Sequence, residues 1–181
     1  GNIYWAAGDF PTSLQYFRQA LRIKHRLGQT FEVAKTLNNI SVIFASVGRL
    51  GRSIKVQELS LKIKRESGDM AVIASSLNNL GYCHHLMGAQ SEAISCLTES
   101  LDLNRKVGNK LEILINLESL SAVMIAAGRL KASVQYIREG AELSQAIGDK
   151  PHAGQFGLSL ATVQRRLGRL GNSQRQLQAL H

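Results

Sequence analysis

The residues of this chain whose types could perform chemistry are two cysteines and a pair of adjacent histidines. Cys83, His84 and His85 are contiguous, and Cys96 follows them. In a helix, neighbouring side chains point about 100° apart, so the two histidines cannot easily serve one zinc ion. A nucleophilic Cys–His pair would need an orienting group and an oxyanion-binding device, and neither is visible. The pattern favours free thiols that pack as small hydrophobic side chains over a metal site.

Motifs of enzymes are otherwise missing from the sequence. The 13 acidic residues are scattered rather than paired, and the glycines are spaced too widely to form a phosphate-binding loop. We therefore expect no catalytic residues, no metal and no cofactor.

The glycines follow a fixed spacing that organises the whole chain. Two series share a period of about 40 residues and are offset from one another by half a period, a self-similarity that is typical of a repeat protein. Two marks in each period predict two helices in each repeat. Glycine tolerates the left-handed backbone found after a helix C-terminus, so we expect a helix break at each of these glycines. The two series are Gly8, Gly48, Gly88, Gly128 and Gly168, and Gly28, Gly68, Gly108 and Gly148.

Apolar residues between these glycines recur at alternating steps of four and three. The stretch after Gly28 is typical, and the stretches after Gly68 and Gly108 repeat it, with His84 at one place of the stripe. This spacing forms one apolar stripe along an α-helix. The first stripe consists of Val33, Leu37, Ile40, Phe44 and Val47, and the second ends at Met87.

Capping residues support the helix assignment. Asp9, Asp69 and Asp149 follow the glycines and can cap the next helix through their carboxylates. Pro11 and Pro151, the only prolines, lie within a predicted first turn, where a missing N–H costs little.

Small residues occupy two columns in the second helix of each repeat, which would let helices approach closely. Between them lies a column of large residues in which Gln57 is the polar exception. The small columns are Ser13, Ser53, Ala93, Ser133 and Ser173, and Ala20, Ser60, Ser100 and Gly140; the large column also holds Phe17, Leu97, Ile137 and Leu177.

These residues carry a resemblance to the tetratricopeptide repeat (TPR) family. Leu77-Asn78-Asn79-Leu80-Gly81 with Gly88, Ala93 and Leu97 is the clearest copy, and Leu37-Asn38-Asn39-Ile40 repeats its beginning. The usual repeat of this family is shorter, at about 34 residues. The longer repeat here resembles those of kinesin light chain and of bacterial regulators of the maltose-activator type. The resemblance implies an all-α, right-handed superhelical solenoid of antiparallel helix pairs.

The register predicts one solenoid over residues 1–181 with about four and a half repeats. Their bounds are 1–28 (partial), 29–68, 69–108, 109–148 and 149–181 (partial or capping). Gly157, Gln164 and Gln174 replace apolar residues in the last repeat, which we interpret as a cap or an incompletely packed end. Both ends fall inside repeats, so we expect a piece of a larger protein.

The resemblance also implies a binding surface on the first helix of each repeat. An asparagine there can clamp the backbone of an extended peptide, because its amide both donates and accepts hydrogen bonds. The alternative is that these asparagines bond to neighbouring helices and hold the stack together. The predicted partner-binding residues are Asn39, Asn79 and Ser119, with Lys35, Asn38, Asn78 and Tyr82 nearby.

A net charge of +9 defines the second surface feature of the sequence. A basic patch of Arg165, Arg166 and Arg169 lies near the C-terminus. Basic surfaces favour acidic partners. A solvated basic face, an acidic protein segment and a nucleic acid are the three interpretations, and the shortage of interleaved aromatic residues disfavours the nucleic acid. No apolar run approaches the ~20 residues that span a bilayer, so a cytoplasmic location is the default expectation.

The predicted function is that of a protein–protein interaction module which binds a peptide or partner helix in a concave groove. The alternative is a ligand-sensing or autoinhibitory arm of a larger signalling or transcriptional regulator. The sequence leaves the oligomeric state open.

Overall fold

A computed structural model describes the backbone of residues 1–178 and the side chains of residues 1–169. Within that part the regular structure is helical and follows the predicted register. The helices are α1 (Asn2–Ala6), α2 (Phe10–Arg26), α3 (Thr30–Ser46), α4 (Leu50–Ser67), α5 (Met70–Leu86), α6 (Gln90–Val107), α7 (Lys110–Ala126), α8 (Leu130–Ile147) and α9 (Lys150–Gln178). The predicted all-α fold of TPR-like helix pairs is confirmed. We call α1, α3, α5 and α7 the first helices of their repeats, and α2, α4, α6 and α8 the second helices.

The chain divides into two compact units, an N-terminal unit (Gly1–Leu103) and a C-terminal unit (Asn104–His181). In the N-terminal unit each of α1 to α4 packs against the helix that follows it. In the C-terminal unit α8 packs against both α7 and α9, and α7 also contacts α9. The continuous solenoid over residues 1–181 stays a prediction.

The turns have the predicted chemistry. Eight glycines of the two series, from Gly8 to Gly148, have φ between 67° and 78°, a conformation in which a Cβ is strained. Asp9, Asp69 and Asp149 each accept a hydrogen bond from a first-turn backbone N–H, at 3.0–3.2 Å. Asn109 caps α7 in the same way, although only aspartates were predicted as caps.

The break predicted at Gly168 is wrong. Gly168 lies inside α9. Gly48 and Gly128 begin the same Gly-Arg-Leu tripeptide, but each lies in the turn after a helix and has a positive φ. The same tripeptide therefore forms a turn at two positions and continues a helix at the third, so the tripeptide alone does not determine whether the helix ends. A reversal is stabilised by what the next segment buries, and the residues after Leu170 are mostly polar.

The apolar stripes form the core, as predicted, apart from their ends. Val33, Leu37, Ile40 and Phe44 are buried, whereas Val47 and Met87 are exposed. The two exceptions are the C-cap residues of α3 and α5, which lie beyond the last turn that packs.

Several serines of the small columns form hydrogen bonds between helices, whereas Ser133 donates within its own helix, to the Leu130 carbonyl at 2.8 Å. Ser53 donates to the carbonyl of Ser41 at 2.8 Å, and Ser60 donates to that of Ala34 at 2.7 Å. A serine here permits close approach and also satisfies its own hydroxyl. Ser173 and Leu177, assigned to these columns, lie outside the described side chains.

Candidate functional site

Two related hollows lie along the first helices of the N-terminal unit, one repeat apart. The later of them, which we call the second hollow, is formed by α3, α4 and α5 and encloses about 360 Å³. Asn79 and Tyr82 line it from α5, and Val42 and Ala45 line it from α3. Tyr82 is 55 % exposed, so its ring is available from solvent.

The first hollow has this arrangement one period earlier and encloses about 420 Å³. Asn39 and Val42 take the places of Asn79 and Tyr82, and Trp5 takes the place of Ala45. Both hollows therefore combine an asparagine with an exposed aromatic side chain. The aromatic residue is Tyr82, on the same helix as Asn79, in the second hollow, and Trp5, on the opposite wall from Asn39, in the first.

The two hollows have different floors, which explains the polar exception in the large column. Phe17 lies at the first hollow and Gln57 at the second. Gln57 is 1 % exposed and is fully engaged: its amide donates to Asn38 Oδ1 at 3.0 Å and to the Ser76 carbonyl at 3.3 Å, and its oxygen accepts from Ser41. The first hollow is thus apolar at its base, and the second is polar.

The two asparagines of the pair Asn38-Asn39 have different surroundings. Asn38 is half-buried, and its side-chain oxygen accepts the hydrogen bond from Gln57. Asn39 is half-buried and Asn79 is exposed, and within the described part of the chain neither of their amides has a hydrogen-bond partner. Asn78 is half-buried and has an interaction of its own.

The remaining predicted residues are less closely grouped. Lys35 is exposed, pairs with Glu32 at 2.8 Å and lies 4.8 Å from the centre of the Phe31 ring. Hydrogen bonds from Lys35 and then Lys24 lower the pKa of Glu32. Ser119 is half-buried on α7, in the C-terminal unit.

Lysine residues recur in one column of the second helices, with different partners. Lys24 Nζ donates to Thr36 Oγ1 at 3.1 Å and forms an ion pair with Glu32, also at 3.1 Å. One period later Lys64 Nζ donates to Ser76 Oγ at 2.7 Å.

Lys64 differs from Lys24 in its electrostatic surroundings. The place of Glu32 is taken by Val72, and no carboxylate among the described residues pairs with Lys64, which is 5 % exposed. Burial lowers the pKa of the Lys64 ammonium, and the charge of Lys35 lowers it further.

The cysteines and histidines do not form one site. Cys83 is buried and its Sγ lies 3.6 Å from Ser53 Oγ, whereas Cys96 is half-buried on the facing helix. Burial raises the pKa of the Cys96 thiol. His85 Nδ1 contacts Gln90 at 3.0 Å. Among the described residues, no three His, Cys, Asp or Glu side chains are grouped so that they could hold a metal ion.

The predicted basic patch is exposed on α9. Arg165 and Arg169 are one helical turn apart, and Arg166 reaches the Ile125 carbonyl at 3.4 Å, at the C-terminal end of α7. Arg166 thus contacts the neighbouring helix, and Arg169 has an interaction of its own.

The opposite walls of the hollows, above all Trp5 and Ala45, are not among the residues predicted from the sequence. The repeat register could have identified them, because Trp5 lies one helical turn after Asn2 and Ala45 lies one helical turn after Val42. A prediction made on one helix at a time cannot find them, since each hollow is shared between first helices of successive repeats.

Comparison with known proteins assigns the family. Two models of the tetratricopeptide repeat match residues 1–28 and 32–106, which together make up more than half of the chain. The chain therefore belongs to the tetratricopeptide repeat family, as the resemblance predicted. No curated protein matches its sequence.

Several solved structures share the fold at low identity. The TPR-like repeats of a kinesin light chain candidate from Podospora anserina match with a TM-score of 0.81 at 13% identity, over 98% of this chain and 88% of that one. A Rap protein complexed with Competence and Sporulation Factor matches with 0.76 at 16%, over 93% and 50%.

A third similar structure is a signal transduction ATPase with a tetratricopeptide repeat sensor from Pyrococcus horikoshii. It matches with a TM-score of 0.79 at 18% identity, over 88% of this chain and 25% of that protein. The chain spans only half of the Rap protein and a quarter of the ATPase. In the part of the chain that the structure describes, no helix has the length and apolar character needed to cross a membrane.

Proposed function

We propose that the two hollows of the N-terminal unit bind an extended segment of a partner protein through its backbone. The observation that carries the proposal is the state of Asn39 and Asn79: both lie at the hollows, one repeat apart, and neither amide has a partner within the described residues. An amide that is satisfied only by water is ready to exchange that water for a ligand.

A peptide backbone suits this arrangement because it offers the same donor and acceptor at every residue. An asparagine amide can bond to both groups of one peptide unit. Equivalent asparagines in successive repeats would therefore contact two different units of one extended segment. Trp5 and Tyr82 supply large amphipathic surfaces beside them, of the kind enriched in binding sites.

The surroundings of Asn38 favour this proposal over the alternative that Asn39 and Asn79 bond to neighbouring helices and hold the repeats together. Asn38 is already engaged by Gln57, so the role of holding the helices is filled by the residue next to Asn39. For the same reason the support for Asn38 as a partner-binding residue is weaker. Lys35 lies one turn before Asn39 and would meet an acidic residue of the segment.

The family supports an interaction module rather than an enzyme, since TPR domains act as scaffolds for protein partners. A Rap protein of similar fold has been solved with Competence and Sporulation Factor, which supports a segment or factor as ligand. The Pyrococcus horikoshii ATPase of similar fold has a tetratricopeptide repeat sensor, which supports the alternative that this chain is a sensing arm of a larger regulator.

The proposal is tested by selecting 12-residue peptides from a random library against this chain and titrating the selected peptides. Asn39→Ala and Asn79→Ala should each weaken binding about fivefold or more, because each loses about 1 kcal/mol of hydrogen bonding. Their melting temperatures should stay near that of the wild type, since neither amide bonds to another described residue.

Asn38→Ala is the matched control. It removes the acceptor for Gln57, so it should lower the melting temperature while the folded variant still binds. The proposal is refuted if every selected peptide, including those without an acidic residue, binds Asn39→Ala and Asn79→Ala as tightly as the wild type.

A further inference from the structure

Ion pairs link second helices of successive repeats at one register position. Arg65 of α4 pairs with Glu99 of α6 at 2.7 Å in the N-terminal unit. Arg105 and Glu139, each one repeat later, pair at 2.6 Å in the C-terminal unit. The hydrogen bond and neighbouring charge of Glu99 raise the pKa of the Arg65 guanidinium.

The same register position one period earlier is occupied by residues that cannot form this ion pair. They are His25 of α2 and Leu59 of α4. Instead of a bridge, α2, α3 and α4 leave a hollow of about 560 Å³, which we call the outer hollow. Its walls are the aliphatic side chains of Leu21, Val33, Leu37, Leu59 and Ile63.

Three basic residues surround this apolar space. Arg22, His25 and Arg26 line the outer hollow from α2, and no carboxylate among the described residues pairs with any of them. Leu59 is 51 % exposed, so an aliphatic side chain faces solvent where the next repeats have a glutamate. The outer hollow therefore has an apolar interior and basic residues at its rim.

We propose that the outer hollow is a docking site for an acidic amphipathic segment of a partner protein. One aliphatic or aromatic side chain of the segment fills the hollow, and an adjacent Asp or Glu takes the place of the missing glutamate beside Arg22, His25 and Arg26. Charge complementarity selects this occupant, because basic groups that no described carboxylate neutralises attract acidic partners, and aliphatic walls accept an apolar anchor. A nucleic acid would instead need aromatic surfaces for base stacking, which these walls lack.

The inference goes beyond the proposed function, because the residues concerned line a different hollow from that of Asn39 or Asn79. Burial of one large side chain supplies most of the affinity in such a site, and exposed charges mainly supply specificity and speed of encounter. Binding should therefore depend on both the anchor and the carboxylate, and should weaken as salt is added.

The test uses a set of fluorescein-labelled 12-residue peptides that carry Leu or Phe with two Glu residues at every spacing of one to four. Fluorescence anisotropy measures their binding to the complete chain, and each peptide has a partner in which Gln replaces Glu. We expect at least one Glu peptide to bind, its Gln partner to bind about tenfold more weakly or worse, and the affinity to fall between 50 mM and 300 mM salt.

Two variants locate the binding. His25→Arg combined with Leu59→Glu rebuilds the bridge of the other repeats, so it should close the outer hollow, weaken binding at least about tenfold and preserve the melting temperature. Arg22→Gln combined with Arg26→Gln leaves the hollow open but removes two charges, and should also weaken binding at least about tenfold. Both variants are checked by circular dichroism.

The variant Asn39→Ala with Asn79→Ala is the matched control and should bind the Glu peptides like the wild type. The inference is overturned if no peptide of the set binds, if the Gln peptides bind equally well, or if the rebuilt bridge leaves binding unchanged. It is also overturned if the control variant loses peptide binding. The same holds if single-stranded DNA binds the wild type but not Arg22→Gln with Arg26→Gln, and no peptide shows this difference.

Discussion

Lys64 is a buried cation that no described carboxylate neutralises, so its removal should stabilise the protein. We consider the substitution Lys64→Met, which keeps a long unbranched side chain. Taking an ammonium out of water costs several kcal/mol, and its one hydrogen bond, to Ser76, returns about 1.5–3 kcal/mol. Ser76 also donates to the carbonyl of Val72 at 2.9 Å, so it stays satisfied in the variant. We therefore expect the free energy of unfolding to rise by about 1–3 kcal/mol at neutral pH.

The pH dependence of this gain follows from the lowered pKa of Lys64. Burial and the charge of Lys35 lower the pKa in the folded state, whereas the unfolded chain has the ordinary value of about 10.4. Between these two values the unfolded state binds more protons, so the wild type becomes more stable as the pH rises. The advantage of Lys64→Met should therefore shrink from neutral towards alkaline pH.

Urea unfolding of both proteins at pH 7 and at about pH 10.5, just above the unfolded pKa, measures this difference. Lys24→Met is the matched control: Lys24 has Glu32 as its partner, so its replacement should bring no gain. A loss of stability in Lys64→Met, or a gain that is the same at both pH values, would show that the buried ammonium is not the cause.

Three further predictions test the packing and the turns by thermal melts. Gly148→Ala should destabilise by about 1–2 kcal/mol because Gly148 has φ of 73°, whereas Gly168→Ala should stabilise by up to about 1 kcal/mol because Gly168 is helical; the opposite order would contradict the assignment of α9. Gly140→Ala should cost about 1–3 kcal/mol, because its Cβ would meet the Phe156 ring, and Phe156→Leu should recover part of the loss; full stability of the single variant would refute this close contact. Gln57→Ala should lower the free energy of unfolding by about 2–4 kcal/mol, because it leaves a cavity and removes the hydrogen bond to Asn38. A loss no larger than that of an exposed substitution would show that the hydrogen bonds of Gln57 do not stabilise the fold.

The register of the helices is predictable because glycine and stripe positions act locally. A positive φ after each helix and an apolar stripe within it depend on a few neighbouring residues, so the predictions for Gly28 and Leu37 are confirmed. The prediction for Gly168 is wrong, because the choice between turn and helix there depends on what a later segment can bury.

The binding surface is less predictable because its parts come from different repeats. Asn39 and Asn79 are recognisable as candidates from one helix each. The sequence cannot show that Gln57 engages Asn38 rather than Asn39, since that difference depends on which helix the neighbouring side chain faces. The missing bridge at His25 and Leu59 is visible in the register once the pair Arg65–Glu99 is known.

The most direct test of backbone recognition by these asparagines is a thermodynamic cycle on a selected peptide. Each amide of the peptide is replaced in turn by an ester, which removes one N–H donor, and binding is measured with the wild type and with Asn79→Ala. Recognition of the backbone predicts one ester that weakens wild-type binding about fivefold or more and has little effect in Asn79→Ala, because the two changes remove the same hydrogen bond. Ester effects that are equal in the two proteins at every position would contradict it.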